Sequence, residues 1–109
     1  MTYKIVITKT AQKEVLEAVK YISDELKSHQ SALNLFNYAY EQFNSLSELP
    51  KRNAEINAFV IGISGIRYII VKNYLAFYTV DDNSITVKIL RFLYNKRDWQ
   101  HILKTSLGD

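Results

Sequence analysis

The chain has 109 residues, of which 48% are hydrophobic, 13% aromatic and 23% charged. These values are typical of a globular protein with a hydrophobic core, and the length suits one domain, so we expect a single domain over residues 1–109. The sequence contains no cysteine, which excludes a disulfide framework, a thiolate metal site and a cysteine nucleophile.

No segment of the sequence has the length and apolarity that a membrane requires. The longest unbroken apolar run comprises the five residues 74–78, and no apolar stretch follows the N-terminal lysines Lys4, Lys9 and Lys13. A membrane span needs about 20 apolar residues, and a secretory signal needs an apolar region of about 7 to 15. We therefore expect a cytoplasmic protein that does not engage a membrane.

The formal net charge of +3 is distributed unevenly along the chain. Residues 1–59 contain seven basic and seven acidic residues, whereas residues 60–109 contain seven basic and four acidic residues. All the excess positive charge therefore lies in the second half. A surface that binds an anionic partner and an ordinary solvated face are both consistent with this distribution.

The first half of the sequence predicts one strand followed by two helices. Residues 3–8 alternate between apolar and other side chains, which indicates a short strand. After Thr10, the expected N-cap, apolar residues recur on one helix face: Ala11, Val15, Ala18, Val19, Ile22 and Leu26. A polar break at residues 28–31 precedes a second stripe, which Pro50 closes: Ala32, Leu35, Phe36, Ala39, Phe43 and Leu46. The short connection predicts an antiparallel helix hairpin that covers a sheet.

The second half predicts an antiparallel meander and a terminal helix. Residues 51–63 form a loop with at most one weak strand, at 58–61. Three strands follow at 66–72, 74–80 and 85–94, separated by tight turns. Asp98 is expected to cap a short helix that ends at Leu103, with fraying over residues 105–109. The predicted class is α+β, with the helix hairpin packed on a mainly antiparallel sheet that the meander completes.

Two arginines occupy strand positions where alternation predicts apolar side chains. Arg67 shares its expected face with Ile69 and Val71, and Arg91 follows Ile89 on its own face. Such an arginine either extends its head group to the rim of the core or binds an anion. Because the anomaly occurs twice, we favour an anion-binding site.

A cluster of cations and aromatics follows the second arginine. Tyr94, Lys96, Arg97 and Trp99 would suit phosphates and stacked bases, although Trp99 is better explained as an anchor of the last helix. The carboxylates at positions 14, 17, 24 and 25 are expected to be solvated on the first helix. Neither histidine has the spacing of a zinc site, and three glycines provide no phosphate-binding loop, so no metal or cofactor is expected.

The second half also carries a recognisable motif. The string GIRYIIVKNYLAFYTVDD at residues 65–82, followed by ITVKILRFLYNKRDW at residues 85–99, closely resembles the RelE/ParE superfamily of type II toxin-antitoxin toxins. The similarity extends from Tyr3 to Leu103, because strand, helix hairpin and meander follow in the order of that family. The resemblance implies a compact toxin that a cognate antitoxin, acidic and partly disordered, holds inactive.

The resemblance leaves two kinds of target open. RelE-like members cleave mRNA on the ribosome with the 2′-hydroxyl of the RNA as nucleophile, which requires a base, cations and an acid. Arg67, Arg91 and Tyr94 match catalytic positions of such enzymes. The histidine of the family's R-x-H-Y ending is replaced by Leu93, and the tyrosine that some members carry near Leu103 is absent.

The incomplete catalytic set is closer to the ParE branch, whose members poison DNA gyrase without being enzymes. We therefore favour a gyrase inhibitor, with a ribosome-dependent mRNA endoribonuclease as the alternative, in which Glu55 would be the base. A relic that only binds the antitoxin is a third hypothesis. The residues expected to bind the target or a nucleic acid are Arg67, Lys88, Arg91, Lys96 and Arg97.

Overall fold

The computed structural model describes residues 2–107, and the side chains of residues 2–106. The order of elements confirms the predicted α+β class. The strands and helices are β1 (Lys4–Ile7), α1 (Lys9–Asp24), α2 (His29–Ser45), a 3-10 helix (Pro50–Arg52), α3 (Ala58–Ile61), β2 (Arg67–Val71), β3 (Tyr74–Asp81), β4 (Thr86–Tyr94) and α4 (Trp99–Leu107).

The four strands form one sheet in the order β1-β4-β3-β2. Strands β2, β3 and β4 are the predicted antiparallel meander, and β1 joins its edge in parallel to β4. Strand β1 pairs with β4 only from Thr86 to Ile89, so the second half of β4 has no strand on that side. This free edge lies beside helix α1.

The sheet carries a hydrophobic cluster on each face. The helix hairpin α1–α2 covers one face with side chains such as Val15, Leu35 and Phe43, which pack on Tyr78 and Ile89. Helix α4 covers the other face, where the buried residues are Ile61, Ile66, Leu75, Phe77, Leu93 and Leu103. Trp99 packs on Tyr68 and Phe77, which confirms its predicted role as the anchor of the last helix.

Helix α1 begins two residues earlier than predicted. Thr8, rather than Thr10, is the N-cap, and its hydroxyl accepts a hydrogen bond from the Ala11 N–H at 3.1 Å. Thr8 has the extended backbone that an N-cap requires, whereas Thr10 lies inside the helix. The apolar stripe locates a helix well but does not distinguish between two nearby threonines.

Two further predictions about the second half were wrong. Residues 58–61 form a helical turn, because the Asn57 side chain accepts from the Phe59 N–H and Gly62, at φ +82°, ends the turn in the left-handed conformation. Helix α4 continues to Leu107 instead of fraying from residue 105, and Asp98 caps it as predicted. Residues 108 and 109 lie outside the described residues. No helix within residues 2–107 is long and apolar enough to cross a membrane.

Candidate functional site

Arg67 lies at the start of β2 and ties a loop to the sheet. Its guanidinium Nη1 donates to the carbonyl oxygens of Asn53 and Lys51, and its Nη2 lies 3.7 Å from the Glu55 carboxylate. The Arg67 side chain is only 15% exposed. The arginine therefore has a folding role that the alternation pattern did not suggest.

The same loop is held by a buried tyrosine. The Tyr78 hydroxyl donates to the Pro50 carbonyl at 2.6 Å and accepts from the Asn53 side-chain amide at 3.1 Å. The Glu55 carboxylate also accepts a hydrogen bond from the Gly65 N–H at 2.7 Å. Glu55, the candidate base, is thus engaged by both Arg67 and the backbone. We call Lys51, Asn53, Glu55, Arg67 and Tyr78 the Arg67 cluster.

Arg91 lies on the free edge of β4 and is paired with a carboxylate. A register shift at Phe77 and Tyr78 places Arg91 opposite Phe77, so Arg91 does not follow Ile89 on the same face as alternation predicted. Its Nε and Nη2 donate to the two Glu14 carboxylate oxygens at 3.0 and 2.8 Å. Its Nη1 donates to the Ser106 hydroxyl at 2.8 Å, which joins α1, β4 and α4.

The prediction that Glu14 is solvated was wrong. Its side chain is 13% exposed, and its Oε1 also accepts from the Phe92 N–H on the free edge of β4 at 3.0 Å. The hydrogen bond from Arg91 to Glu14, together with the charge of Glu14, outweighs burial and raises the pKa of the Arg91 guanidinium above its usual value. The Arg91 guanidinium therefore remains a cation beside the Glu14 carboxylate.

A different arrangement is found at the opposite end of the sheet from Arg67. The Asn95 N–H donates to the Asn73 carbonyl at 2.8 Å, which brings the end of β4 beside the β2–β3 turn. Lys72, Lys96 and Arg97 are exposed here, and none of the three salt bridges found among the described residues includes them. The Lys72 Nζ lies 5.0 Å from the centre of the Tyr38 ring. This open end therefore contains two cations of the candidate set, Lys96 and Arg97, that make no salt bridge among the described residues.

A groove runs between helix α1 and the free edge of β4 at this open end. It consists of two adjoining cavities of about 490 and 370 Å³. Tyr21, Tyr74 and Tyr94 line both cavities, and we call this the tyrosine groove. Burial raises the pKa of the Tyr74 hydroxyl, and the nearby Tyr94 and Tyr21 raise it further. The other residues that line the tyrosine groove are Glu14, Glu17, Ala18, Ile22, Leu26, Asn73, Phe92 and Arg97.

The structure does not bring the predicted site residues together. Arg67 pairs with Tyr78 on β3, whereas Tyr94 pairs with Tyr74 on the same strand. Tyr74 and Tyr78 are about 13 Å apart along β3 at roughly 3.3 Å per residue, so Arg67 and Tyr94 are separated by at least this distance. Lys88 is exposed opposite Thr79, away from the open end. Tyr94, Lys96 and Arg97 remain adjacent, while Arg67 and Arg91 belong to separate ion pairs.

Two features of the site were missed at the level of sequence. Glu14 lies three residues after Ala11 and four before Ala18, which places a carboxylate within the apolar stripe of α1. The position of Glu14 within the apolar stripe therefore indicates a buried ion pair. Tyr21 and Tyr74 gave no comparable sign, because their proximity depends on the crossing of α1 over β4. No group of three or more potential metal ligands occurs within residues 2–107.

Comparisons with known proteins match most of the chain. A family model described as the ParE toxin of the type II toxin-antitoxin system parDE matches residues 5–99. A search of curated proteins found no match.

Solved structures with the same fold come from several organisms. The chain is similar to a chain in the structure of the chromosomal ParDE toxin-antitoxin system from P. aeruginosa. The TM-score is 0.69 and the identity 17%, and the match covers 85% of this chain and 96% of that chain. It is also similar to a chain in the RelBE2 toxin-antitoxin complex from Mycobacterium tuberculosis. The TM-score is 0.60 and the identity 20%, over 86% of this chain and 99% of that chain. The archaeal RelE-RelB complex from Pyrococcus horikoshii OT3 gives a TM-score of 0.57 and 17% identity over 89% and 99%. At these identities the similarity establishes the fold.

Proposed function

Because the chain belongs to the ParE toxins of type II toxin-antitoxin systems, we propose that it stops growth by poisoning DNA gyrase and that an antitoxin neutralises it. The toxin class follows from the family match. The gyrase target and the partner are the proposed part.

The observation that carries the gyrase proposal is the dispersal of the residues that an RNA-cleaving mechanism needs. Stabilising a phosphorane-like transition state requires cations that converge on one phosphate, near a proton donor. Here Arg67 and Arg91 are paired with Glu55 and Glu14 and lie in different clusters. Leu93, at the position of the family's histidine, is buried beneath α4 and supplies no proton. A protein-binding inhibitor needs none of these groups to converge.

The ribonuclease function is a second candidate because of the open end. Tyr94, Lys96 and Arg97 are exposed there, and Tyr94 and Arg97 line the same cavity. Cations next to an aromatic ring suit an RNA backbone and a stacked base. In this alternative, Tyr94→Phe lowers the cleavage rate because a proton donor is removed and the ring is kept.

An antitoxin partner is supported by the charge of the open end. Lys72, Lys96 and Arg97 have no carboxylate within 4.0 Å among the described residues, and the chain has an overall charge of +3. An acidic partner would neutralise these cations and would be steered towards them at low salt. We expect it to be partly disordered alone and to fold as it binds.

Two assays on the same purified protein test the target. A gyrase poison inhibits supercoiling by DNA gyrase and leaves mRNA intact on translating ribosomes, whereas a ribonuclease gives the opposite pair of results. Growth after induction without the antitoxin separates an active toxin from a relic. Unchanged growth under strong induction would contradict both active functions and leave antitoxin binding alone.

A further inference from the structure

We propose that Leu49 is the side chain with which this protein anchors itself to DNA gyrase, and that left-handed backbone at Leu49 and Ile85 holds the contact surface ready. The inference rests on the proposed gyrase target and deepens it, because it assigns the contact to one surface of the molecule. We call Leu49, Lys51, Arg52, Asp82 and Ile85 the strained corner.

The first argument concerns the backbone of the strained corner. Leu49 and Ile85 have φ angles of 50° and 51°, in the left-handed region, where a β-branched residue is an outlier. Leu49 also precedes Pro50, and a residue before proline prefers extended backbone. The other non-glycine residues with positive φ in the described part of the chain, Lys27 and Lys72, are polar and exposed. Glycine or asparagine would adopt this backbone at lower cost, so local folding does not explain an apolar side chain at Leu49.

The second argument concerns the exposure of Leu49. Its side chain is 78% exposed and belongs to neither hydrophobic cluster of the sheet. The cost of its backbone conformation is therefore not offset by burial within the protein. Strained residues of this kind concentrate at binding sites and active sites. Leu49 thus combines an unfavourable conformation with a side chain that a partner can bury.

The third argument concerns the rigidity of the segment that carries Leu49. The Arg52 guanidinium donates to the carbonyl oxygens of Glu48 and Leu49 at 2.9 and 3.4 Å. The buried Tyr78 hydroxyl donates to the Pro50 carbonyl at 2.6 Å. Because both sides of Leu49 are fixed by hydrogen bonds, its side chain loses little conformational entropy when a partner binds it.

The turn between β3 and β4 adjoins this segment. Asp82 in the turn pairs with Lys51 and also accepts a hydrogen bond from the Tyr3 hydroxyl at 2.9 Å. The Lys4 N–H donates to the Ile85 carbonyl at 2.9 Å. These bonds tie the turn to the start of β1 and to the loop of Lys51. The two strained apolar residues therefore lie on adjacent loops.

The charges around Leu49 favour a protein as the partner. Glu48 and Asp82 balance Lys51 and Arg52, and all four side chains are exposed. A nucleic acid is bound through an excess of cations that neutralise its phosphates, whereas carboxylates repel them. An exposed leucine among balanced charges instead suits an apolar pocket with a polar rim on another protein.

The position of the strained corner favours gyrase over the antitoxin. The Pro50 carbonyl is bonded to Tyr78, which lies about 13 Å along β3 from Tyr74 at the open end. An acidic antitoxin is expected at the open end, where Lys96 and Arg97 make no salt bridge among the described residues. The strained corner at the opposite end is therefore available to the target.

The experiment measures inhibition of supercoiling by the gyrase holoenzyme. Leu49→Gly removes the side chain and relieves the left-handed strain, so its thermal midpoint should equal or exceed that of the unchanged chain. The concentration for half-inhibition should nevertheless rise at least about tenfold, because the buried leucine is lost from the contact. Weaker inhibition by a variant that is at least as stable excludes misfolding as the cause.

Two control variants isolate the apolar side chain at this position. Leu49→Met keeps an apolar side chain of similar volume on the same backbone and should stay within about threefold of the unchanged chain. Leu33→Ala removes a leucine that is 53% exposed on α2 and should inhibit as the unchanged chain does. Loss of inhibition in Leu33→Ala equal to that in Leu49→Gly would show that any exposed leucine matters, which would overturn the assignment.

The remaining outcomes separate this inference from the gyrase target itself. Equal half-inhibition by Leu49→Gly and the unchanged chain would overturn the role of Leu49 and leave gyrase poisoning intact. No inhibition by the unchanged chain would refute the target and the contact together. If Leu49→Gly kept its inhibition but bound the protein encoded by the adjacent reading frame about tenfold more weakly, Leu49 would belong to the antitoxin interface and the proposal would be wrong.

Discussion

The Arg67 cluster and the open end of the sheet both contain basic residues, but they differ in whether these residues have partners within the protein. In the Arg67 cluster, the arginine bonds two loop carbonyls and a carboxylate, and its side chain is 15% exposed. At the open end, Lys96 and Arg97 are exposed and belong to no salt bridge among the described residues. A cation that is already bonded to groups of its own fold is a poor candidate for binding a partner. An unpaired cation beside a groove is a better candidate.

This difference separates stability from function among the five candidate cations. Arg67 and Arg91 have structural partners, so their removal should destabilise the protein. Lys96 and Arg97 make no salt bridge among the described residues, so their removal should affect partners more than folding. Lys88 is exposed and lies away from the groove. Substitutions at these cations should therefore differ in their effect on the free energy of unfolding.

The largest effect is expected for Arg91→Ala. The substitution leaves the Glu14 carboxylate, 13% exposed, without its cation and also breaks the bond to Ser106. We expect the free energy of unfolding to fall by about 3 kcal/mol, measured by urea denaturation. Glu17→Gln on the same helix is the control and should cause little change. Full stability of Arg91→Ala, combined with lost toxicity, would instead make Arg91 a binding residue.

A smaller loss is expected for Arg67→Ala. The guanidinium holds the Lys51 and Asn53 carbonyls, and hydrogen bonds to a charged group contribute about 1.5 to 3 kcal/mol. We expect a loss within this range, with Lys88→Ala unchanged because Lys88 is an exposed strand cation. Loss of toxicity in a fully stable Arg67→Ala variant would show that the comparison between the two regions is wrong.

The positions of the secondary structures were largely predictable, because apolar periodicity fixes which face is buried. The stripe from Ala11 to Leu26 gave α1 to within two residues at each end, and alternation gave the three strands of the meander. Residues 58–61 were misassigned because an apolar run of four residues fits a strand or a helical turn equally well. There the choice depends on Asn57 and Gly62 as caps.

The candidate site was less predictable, because it depends on contacts between residues far apart in sequence. The pairing of Arg91 with Glu14 spans 77 positions, and a single bulge in β4 decides where Arg91 points. Strict alternation cannot anticipate a bulge. Tyr94, Lys96 and Arg97 lie together at one end of the sheet because they are close in the chain, whereas Arg67 lies at the other end.

The pH dependence of stability offers a finer test at the Arg67 end. Hydrogen bonds from Lys51 and Tyr3 lower the pKa of the exposed Asp82 carboxyl below its usual value of 3.8. A carboxyl with a lowered pKa in the folded state stabilises the protein above its unfolded pKa, and this contribution disappears as the pH falls through the folded pKa.

Asp82→Asn should therefore be slightly less stable than the unchanged protein near neutral pH, and the difference should shrink below a pH of about 3.8. Urea midpoints between about pH 2 and pH 7 measure it. Asp24→Asn, which removes an exposed carboxylate that makes no salt bridge among the described residues, is the control. A difference that stays constant down to the lowest pH would show that the pairing of Asp82 with Lys51 does not stabilise the fold.

The smallest effect on stability, with a clear effect on function, is expected for Arg97→Ala. Its side chain makes no salt bridge among the described residues, so the free energy of unfolding should change by no more than about 0.5 kcal/mol. Growth inhibition or antitoxin affinity should nevertheless fall, because Arg97 is the cation that faces the tyrosine groove. Lys20→Ala removes an equal charge from the outer side of α1 and should preserve both properties. If Arg97→Ala retained full toxicity and antitoxin affinity, an unpaired cation at the open end would have no functional significance, and the contrast with the Arg67 cluster would concern folding alone.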